Sequence, residues 1–362
     1  MKKILFFAAA AIMMVGCSSD QVVSEMPQDN AINFGMYFGR DAQSRAAIMK
    51  TEDLKSFGVF AYYTGNTDYA EGTSTPNFMF NQNVKWVDPA WTYSPLKYWP
   101  NNPGDKISFF AYAPHMEQSN GNITLGSFIN ATASAPSLTY TLDDDQSTHV
   151  DLLWADPTTV QNLTKQTING KVTFNFKHAM SRIGFKSVAV IDESSNDNNG
   201  DIDDGEHIKP LDGNTIITLK SIKLTGDFYQ GGTLNLATGE WSVPGSTAST
   251  VYNWSTFKES NVTTTKVPVL NDGDYLTVLP KTQNIQIEVE YTVKTTDTAL
   301  KDGYSEVTNT IVSDPFDFTF KQGFAYNFVL HVGLTSVKFS AEVAAWDPAT
   351  GQDIVVNVPL NE

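Results

Sequence analysis

The chain has 362 residues, a formal net charge of −16 from 24 basic and 40 acidic side chains, 41% hydrophobic and 18% charged residues. At roughly 150 residues per domain the length suggests two domains. The apolar fraction excludes a disordered chain, the absence of heptads excludes a coiled coil, and the acidity argues against nucleic-acid binding or docking on anionic lipid through a basic patch. The one cysteine, Cys17, rules out an intrachain disulfide and a cysteine zinc site.

The N-terminus reads as an address. Lys2 and Lys3 precede an apolar run from Ile4 to Val15, shorter than the roughly 20 residues that span a bilayer. A basic start and a short apolar stretch make an export signal. The run ends Met14-Val15-Gly16-Cys17, followed by Ser18-Ser19-Asp20. This resembles a bacterial lipobox, with Met14 where Leu is usual. The resemblance implies a signal peptide over 1–16, cleavage before Cys17 and lipidation of its thiol. An ordinary signal peptide with an incidental cysteine is the alternative. Residues 18–31 are polar and read as a tether.

Beyond the tether nearly everything reads as β. Ile32, Phe34, Met36 and Phe38 alternate with Asn33, Gly35 and Tyr37, a strand with four apolar anchors on one face. A short helix is predicted near Thr51–Lys55. Strands are predicted near 57–63 and 106–113. Val172, Phe174 and Phe176 alternate with Thr173, Asn175 and Lys177. Further strands are expected near 182–190, 215–225, 275–279 and 326–333, and the acidic stretch 192–208 reads as a surface loop. Along Asn284–Val293, Ile285, Ile287, Val289, Tyr291 and Val293 share one face against Gln286, Glu288, Glu290 and Thr292. Val337, Phe339, Ala341 and Val343 repeat the pattern. Near the end of the chain Ile354, Val356, Val358 and Leu360 again place four anchors at period two. Many short strands separated by turn residues point to antiparallel sandwiches.

Arginine is scarce. Only Arg40, Arg45 and Arg182 occur among the 24 basic residues. Two of them lie just after the first predicted strand; the third lies in an apolar strand context beside Ile183 and Phe185. An arginine-specific protease would therefore find one accessible stretch. Cutting at Arg40 or Arg45 would free the strand Ile32–Phe38 and leave an open edge and an apolar groove. The strand Ile354–Leu360 of another copy matches it in length and period and could fill that groove by strand addition, head to tail and without closure. Pro359 suits an edge strand or the end of an inserted one. The other reading makes both segments ordinary edge strands of one monomer.

Several stretches carry a family resemblance. Lys55-Ser56-Phe57-Gly58-Val59-Phe60-Ala61-Tyr62, Trp91-Thr92-Tyr93-Ser94-Pro95-Leu96-Lys97-Tyr98-Trp99-Pro100 and Ile107-Ser108-Phe109-Phe110-Ala111-Tyr112-Ala113-Pro114 resemble core segments of Bacteroidales fimbrillins. Phe176-Lys177-His178-Ala179-Met180-Ser181-Arg182-Ile183 is similar to that family's domain junction. Gly232–Trp241 and Leu279-Pro280 fit its second domain. The resemblance covers about residues 32 to 346.

It implies a type V pilus subunit with an all-β fold of two antiparallel transthyretin-like Greek-key β-sandwich domains in tandem. The implied divisions are a lipidated propeptide over 17–45 with a removable first strand, domains over 46–180 and 181–350, and a donor strand over 351–362. The resemblance further implies a lipoprotein precursor anchored at the outer membrane through Cys17. An arginine-specific protease would cut Arg45–Ala46, with Arg40 the second candidate. Exchange of the donor strand with other pilin subunits would then build a cell-surface fimbria that supports adhesion to a host or bacterial surface glycan or protein. Residues 1–45 hold four basic and four acidic groups, so the whole −16 would stay on the mature subunit.

Other candidate sites are weaker. The histidines at 115, 149, 178, 207 and 331 are scattered, and no nucleophile elbow, metal-binding pair or phosphate loop appears. No enzyme activity, cofactor or metal is expected. His178 continues the face of Val172, Phe174 and Phe176 and reads as a core histidine. Asp197–Gly205 offers alternating oxygen ligands, but counting from Asp197 puts Ile202 and Ile208 where a calcium loop needs Gly and Glu. Trp86, Trp91 and Trp99 lie near Tyr93 and Tyr98. They are read first as packed aromatics and second as a sugar-stacking platform, which defines an alternative function: a lipid-anchored, unpolymerised glycan-binding protein. Asp297-Thr298-Ala299 resembles an O-glycosylation acceptor of this bacterial group.

Overall fold

The computed structural model describes residues 30–37, 54–117, 123–125, 136–142, 145–146, 149–167, 171–190, 214–271 and 273–345. The expected helix near 51–55, the acidic loop, and the strand over 354–360 lie wholly or mostly outside them. Among the described residues the regular structure is strand, apart from a 3-10 turn at Pro157–Thr159 and a 3-10 position at Gln146.

The first sheet has seven strands: β1 (Phe34–Tyr37), β2 (Ser56–Gly65), β3 (Met79–Val87), β4 (Ala90–Thr92), β5 (Lys106–Ala113), β8 (Leu153–Ala155) and β9 (Val172–His178). Their order is β1-β9-β8-β5-β2-β3-β4. The central strands β2 and β5 are buried on both faces, which explains why Ser56–Tyr63 and Ile107–Ala113 read as near-continuous apolar runs rather than alternations. Phe57, Val59 and Ala61 face a core shared with Phe109, Ala111, Phe174, Phe176 and Trp99. Phe60, Tyr62, Phe110 and Tyr112 face the other way.

That second face is covered by a small sheet ordered β13-β12-β7-β6. It combines β6 (Ile123–Leu125) and β7 (Ser137–Thr141) with β12 (Gly231–Asn235) and β13 (Trp241–Ser242) from later in the chain. Leu138, Tyr140, Leu234, Leu236 and Trp241 supply the packing, and Trp241 Nε1 donates to the Ala179 carbonyl at 2.7 Å.

A third core lies between two further sheets. One contains β14 (Ala248–Trp254), β11 (Thr215–Phe228), β18 (Thr282–Thr296) and β19 (Tyr304–Val312), in that order, with β15 (Asn261–Val262) on β11 and β20 (Phe316–Thr319) on β18. The other runs β16 (Val267–Pro268), β10 (Ser181–Ala189), β21 (Phe324–Val332), β22 (Val337–Ala345), with β17 (Leu276–Val278) also on β10. Over most of β18 the predicted face is the buried one: Ile285, Ile287, Val289 and Tyr291 are fully buried while Gln286, Glu288 and Glu290 are not, but at its end the pattern breaks, with Thr292 buried and Val293 only partly so. On β22, Val337, Phe339 and Ala341 enter the same core.

The pairing is predominantly antiparallel, with two exceptions that alternation does not reveal. β10 runs parallel to β21 over eight register pairs from Arg182↔Ala325 to Ala189↔Val332. β1 runs parallel to β9, from Phe34↔Val172 to Tyr37↔Asn175. A parallel neighbour cannot be reached through a tight hairpin, and both pairs join segments more than 130 residues apart in sequence.

Candidate functional site

The most distinctive feature is how the segment 30–37 is held. β1 has four residues, yet the apolar side chains before and within it are deeply inserted. Ile32 is fully buried and Phe34 is 4% exposed. The Phe34 ring lies 5.2 Å from Tyr93, 5.7 Å from Phe174, 5.9 Å from Phe109 and 6.3 Å from Phe57, centroid to centroid. The Phe174 contact is stacked and those of Phe57 and Phe109 are edge-on, arrangements that add to plain area burial. Met36, partly buried, packs on the same core. Burying Ile32 and Phe34 contributes roughly 3–6 kcal/mol at about 1.5–3 kcal/mol each.

The backbone of this segment is gripped from both sides. On one side the Val172 amide donates to the Asn33 carbonyl at 2.8 Å, at the start of the parallel pairing to β9. On the other side the chain following β4 runs antiparallel to it. Ala31 bridges Tyr98, the Ile32 amide donates to the Lys97 carbonyl at 2.8 Å, and the Trp99 amide donates to the Asn30 carbonyl at 2.8 Å. The Tyr93 hydroxyl adds a bond to the Ile32 carbonyl at 2.7 Å. Lys165 Nζ also donates to the Asn30 side-chain oxygen. The segment thus lies between β9 and the stretch 97–99 that follows β4, hydrogen-bonded to both.

Two local features shape this groove. Gly35 lies beneath the Lys171 side chain, where an added Cβ would come within 3.1 Å of Cε. An open hollow of about 440 Å³, lined by Thr159, Leu163, Lys171, Thr173 and Asn175 among others, extends along β9.

Of the other sequence candidates, Cys17, Phe38, Arg40, Arg45, Ala46, Ile354, Val356, Val358, Leu360 and the loop 197–205 fall outside the described residues. Arg182 is described. It sits on β10 between Thr277 and Ala325, its guanidinium 4.6 Å from the Tyr275 ring, and burial lowers its pKa. The three tryptophans separate. Trp99 is a core residue at 5% exposure, 6.0 Å from Phe109. Trp91 is half-buried against Phe57 at 4.9 Å. Trp86 packs edge-on against Trp91 at 5.4 Å but stays 41% exposed. His178 is buried and pairs with Asp151 at 2.9 Å, and His331 is buried against Ser340 at 2.9 Å. Among the described residues no group of three or more His, Cys, Asp or Glu is placed to hold a metal.

Sequence reading missed the Tyr93 hydroxyl and the 97–99 backbone as partners of the first strand. The signal was nearby: Tyr93 and Trp99 lie in the same aromatic-rich stretch, but pairing is not encoded in alternation.

A curated relative from Phocaeicola vulgatus, described as fimbrium subunit Fim1C, is 26% identical over 98% of this chain and 99% of its own length. A solved fimbrial protein from Bacteroides vulgatus superposes with a TM-score of 0.69 at 22% identity, covering 87% of this chain and 99% of that one, and so shares the fold. Residues 44–346 match the fimbrillin-like family, and the chain belongs to that family.

Proposed function

We propose that this protein is a structural subunit of a surface fimbria, exported as a lipoprotein on Cys17, cut after Arg45 (or Arg40) by an arginine-specific protease, and polymerised when a strand from a neighbouring pilin replaces β1. Adhesion is a property of the resulting fibre. The observation that carries this reading is the mode of holding β1. The segment 30–37, which includes the four-residue β1 on the edge of the first sheet, buries Ile32 and Phe34 and is followed closely by the two N-terminal arginines. If this segment left, the Val172 and Trp99 amides, the Lys97 carbonyl and the Tyr93 hydroxyl would each lose a partner that another extended chain could supply.

The position of Arg182 supports selective cutting. Its strand is paired on both sides, and proteases need an extended, accessible chain. The fimbrium description of the Phocaeicola vulgatus relative supports a pilus role for the whole chain, because the match spans nearly all of both proteins. We read the cores built from residues 32–176 and 183–341 as two domains dividing near residue 180, joined by the small sheet that draws strands from both.

The test is to treat purified 18–362 with an arginine-specific protease, then run N-terminal sequencing and an unboiled denaturing gel. A new start at Ala46 or Asp41, with an intact Arg182–Ile183 bond and a ladder of stable oligomers lost on deleting 352–362, is the expected outcome. Resistance at Arg40 and Arg45 with no oligomers would defeat the proposal. It would favour the second reading, a lipid-anchored glycan binder using the exposed face of Trp86. That reading requires sugar binding that disappears in Trp86→Ala.

A further inference from the structure

The groove that β1 fills is not uniform along its length. Its aromatic part is the Phe34 site, where rings of Phe57, Tyr93, Phe109 and Phe174 surround the side chain at 5.2–6.3 Å. Neighbouring parts are less demanding: Met36 is only partly buried, and Ile32 is aliphatic. A site walled by four aromatic rings has a shape matched to a fifth, because edge-on and stacked contacts depend on a flat partner.

The chain's own candidate donor strand does not supply one. Residues 347–362 contain no aromatic side chain, and the four anchors are Ile354, Val356, Val358 and Leu360. Aligned anchor for anchor with Ile32–Phe38, the second site receives Val356 if the strand runs in the same direction as β1 and Val358 if it runs in reverse. Shifting the register by two residues offers an aliphatic side chain again. A valine there leaves the rings without a packing partner over much of the site, and packed interiors do not close such gaps without cost.

Resting on the strand-exchange reading, we propose that the Phe34 site is the selective pocket of the groove. It takes an aromatic anchor, so a strand from a different pilin chain carrying Phe or Tyr at that position completes this subunit better than residues 354–360 of a second copy, which still pair but more weakly. The subunit is then built for a mixed fibre or a defined neighbour, with self-pairing the weaker alternative.

Peptide competition tests this on the full chain. The 18–362 protein is labelled near its N-terminus and cut at Arg45, and release of the labelled segment is followed as unlabelled peptides are added. The peptides are residues 30–39, residues 352–362, and the latter with Val356→Phe or with Val358→Phe. One of the two aromatic variants is expected to compete about tenfold or more better than the native 352–362 peptide, in line with the selectivity of apolar pockets for side-chain size, and to approach the 30–39 peptide. Whichever does so also reports the strand direction. If the native 352–362 peptide competes and neither variant improves on it, the pocket proposal is overturned while strand exchange stands. If no peptide displaces the label, strand exchange itself fails and the pocket proposal falls with it.

Discussion

Phe34→Ala in the uncut precursor puts the importance of the first strand on a quantitative footing. Phe34 is 4% exposed and touches four rings. A fully packed Phe→Ala change costs about 3–5 kcal/mol. At this position the loss has a ceiling. β1 has one main-chain ladder of four pairs, so once its anchoring falls below the free energy that keeps it docked, the strand releases locally and further damage does not accumulate. Ile32 and Phe34 together contribute roughly 3–6 kcal/mol, so removing Phe34 is expected to consume about half of the docking energy or more. Two readouts separate the global and local parts. Urea unfolding of the precursor should show a loss of about 2–4 kcal/mol. Cleavage by an arginine-specific protease at the stretch containing Arg40 and Arg45 should accelerate, because opening of the strand exposes the chain beside it. Tyr93→Phe, which removes the hydroxyl bond to the Ile32 carbonyl, should move both quantities in the same direction by about 0.5–1.5 kcal/mol. A loss below about 1 kcal/mol in Phe34→Ala, with the cleavage rate unchanged, would refute the claim that this side chain anchors the strand.

Three other expectations follow from particular contacts. Trp99→Ala should cost about 3–5 kcal/mol and Trp86→Ala less than about 1 kcal/mol by urea unfolding, since the first ring is buried and the second is 41% exposed. Gly58→Ala should destabilise by about 1–3 kcal/mol, measured the same way, because an added Cβ would sit 2.2 Å from Tyr112 Cε1, and Tyr112 is fixed by its hydroxyl bonds to Asn81 at 2.7 Å and the Met116 carbonyl at 3.0 Å. Burial pushes the Glu342 carboxyl up, but its bonds to Lys186 at 2.5 Å and Lys266 at 2.9 Å outweigh that and hold its pKa below the ordinary 4.5. A lowered folded-state pKa gives stability that is present above about pH 4.5 and is lost as pH falls through the folded value. Glu342→Gln should therefore flatten the fall in thermal midpoint over that acid range relative to the unaltered protein.

What could be read in the sequence depended on how a strand is buried. β18 and β22 have one face in the core and one outside, so their alternation gave both the element and its inward side chains. β2 and β5 are covered on both faces, and their continuous apolar runs gave the strands but not the two different surfaces they separate. β19 is exposed along most of its length, with only Asn309 and Ile311 partly covered. It presents no apolar period, and composition alone did not mark it. The strand at Ile32–Phe38 was legible as four anchors, but its neighbours were not. Parallel pairing with β9 and closure against residues 97–99 are long-range choices, set by how the sheet curls. For the same reason the three tryptophans looked equivalent in sequence, whereas strand position assigns Trp99 to the interior and Trp86 to the rim.

The distribution of contacts favours β1 as the element that the proposed exchange would replace. β11 and β18 share twelve register pairs and β21 and β22 share nine; loss of any of these would open the core built from residues 183–341. β1 contributes nothing to that core or to the cluster joining the two halves, and its anchors enter only the core of the first sheet. Its departure would therefore be a local event that leaves most of the chain folded. It would still be costly, because the vacated site exposes the rings around Phe34 and strips partners from several backbone groups at once. A subunit in that condition is stabilised by any strand that refills the groove, in proportion to that strand's affinity and local concentration. Cutting the covalent link lowers the local concentration of the original strand and makes it replaceable. On the strand-exchange proposal, a short, deeply anchored segment beside the proposed cleavage site would convert one irreversible cut into a driving force for assembly, and the fit at the Phe34 site would decide which neighbour is taken.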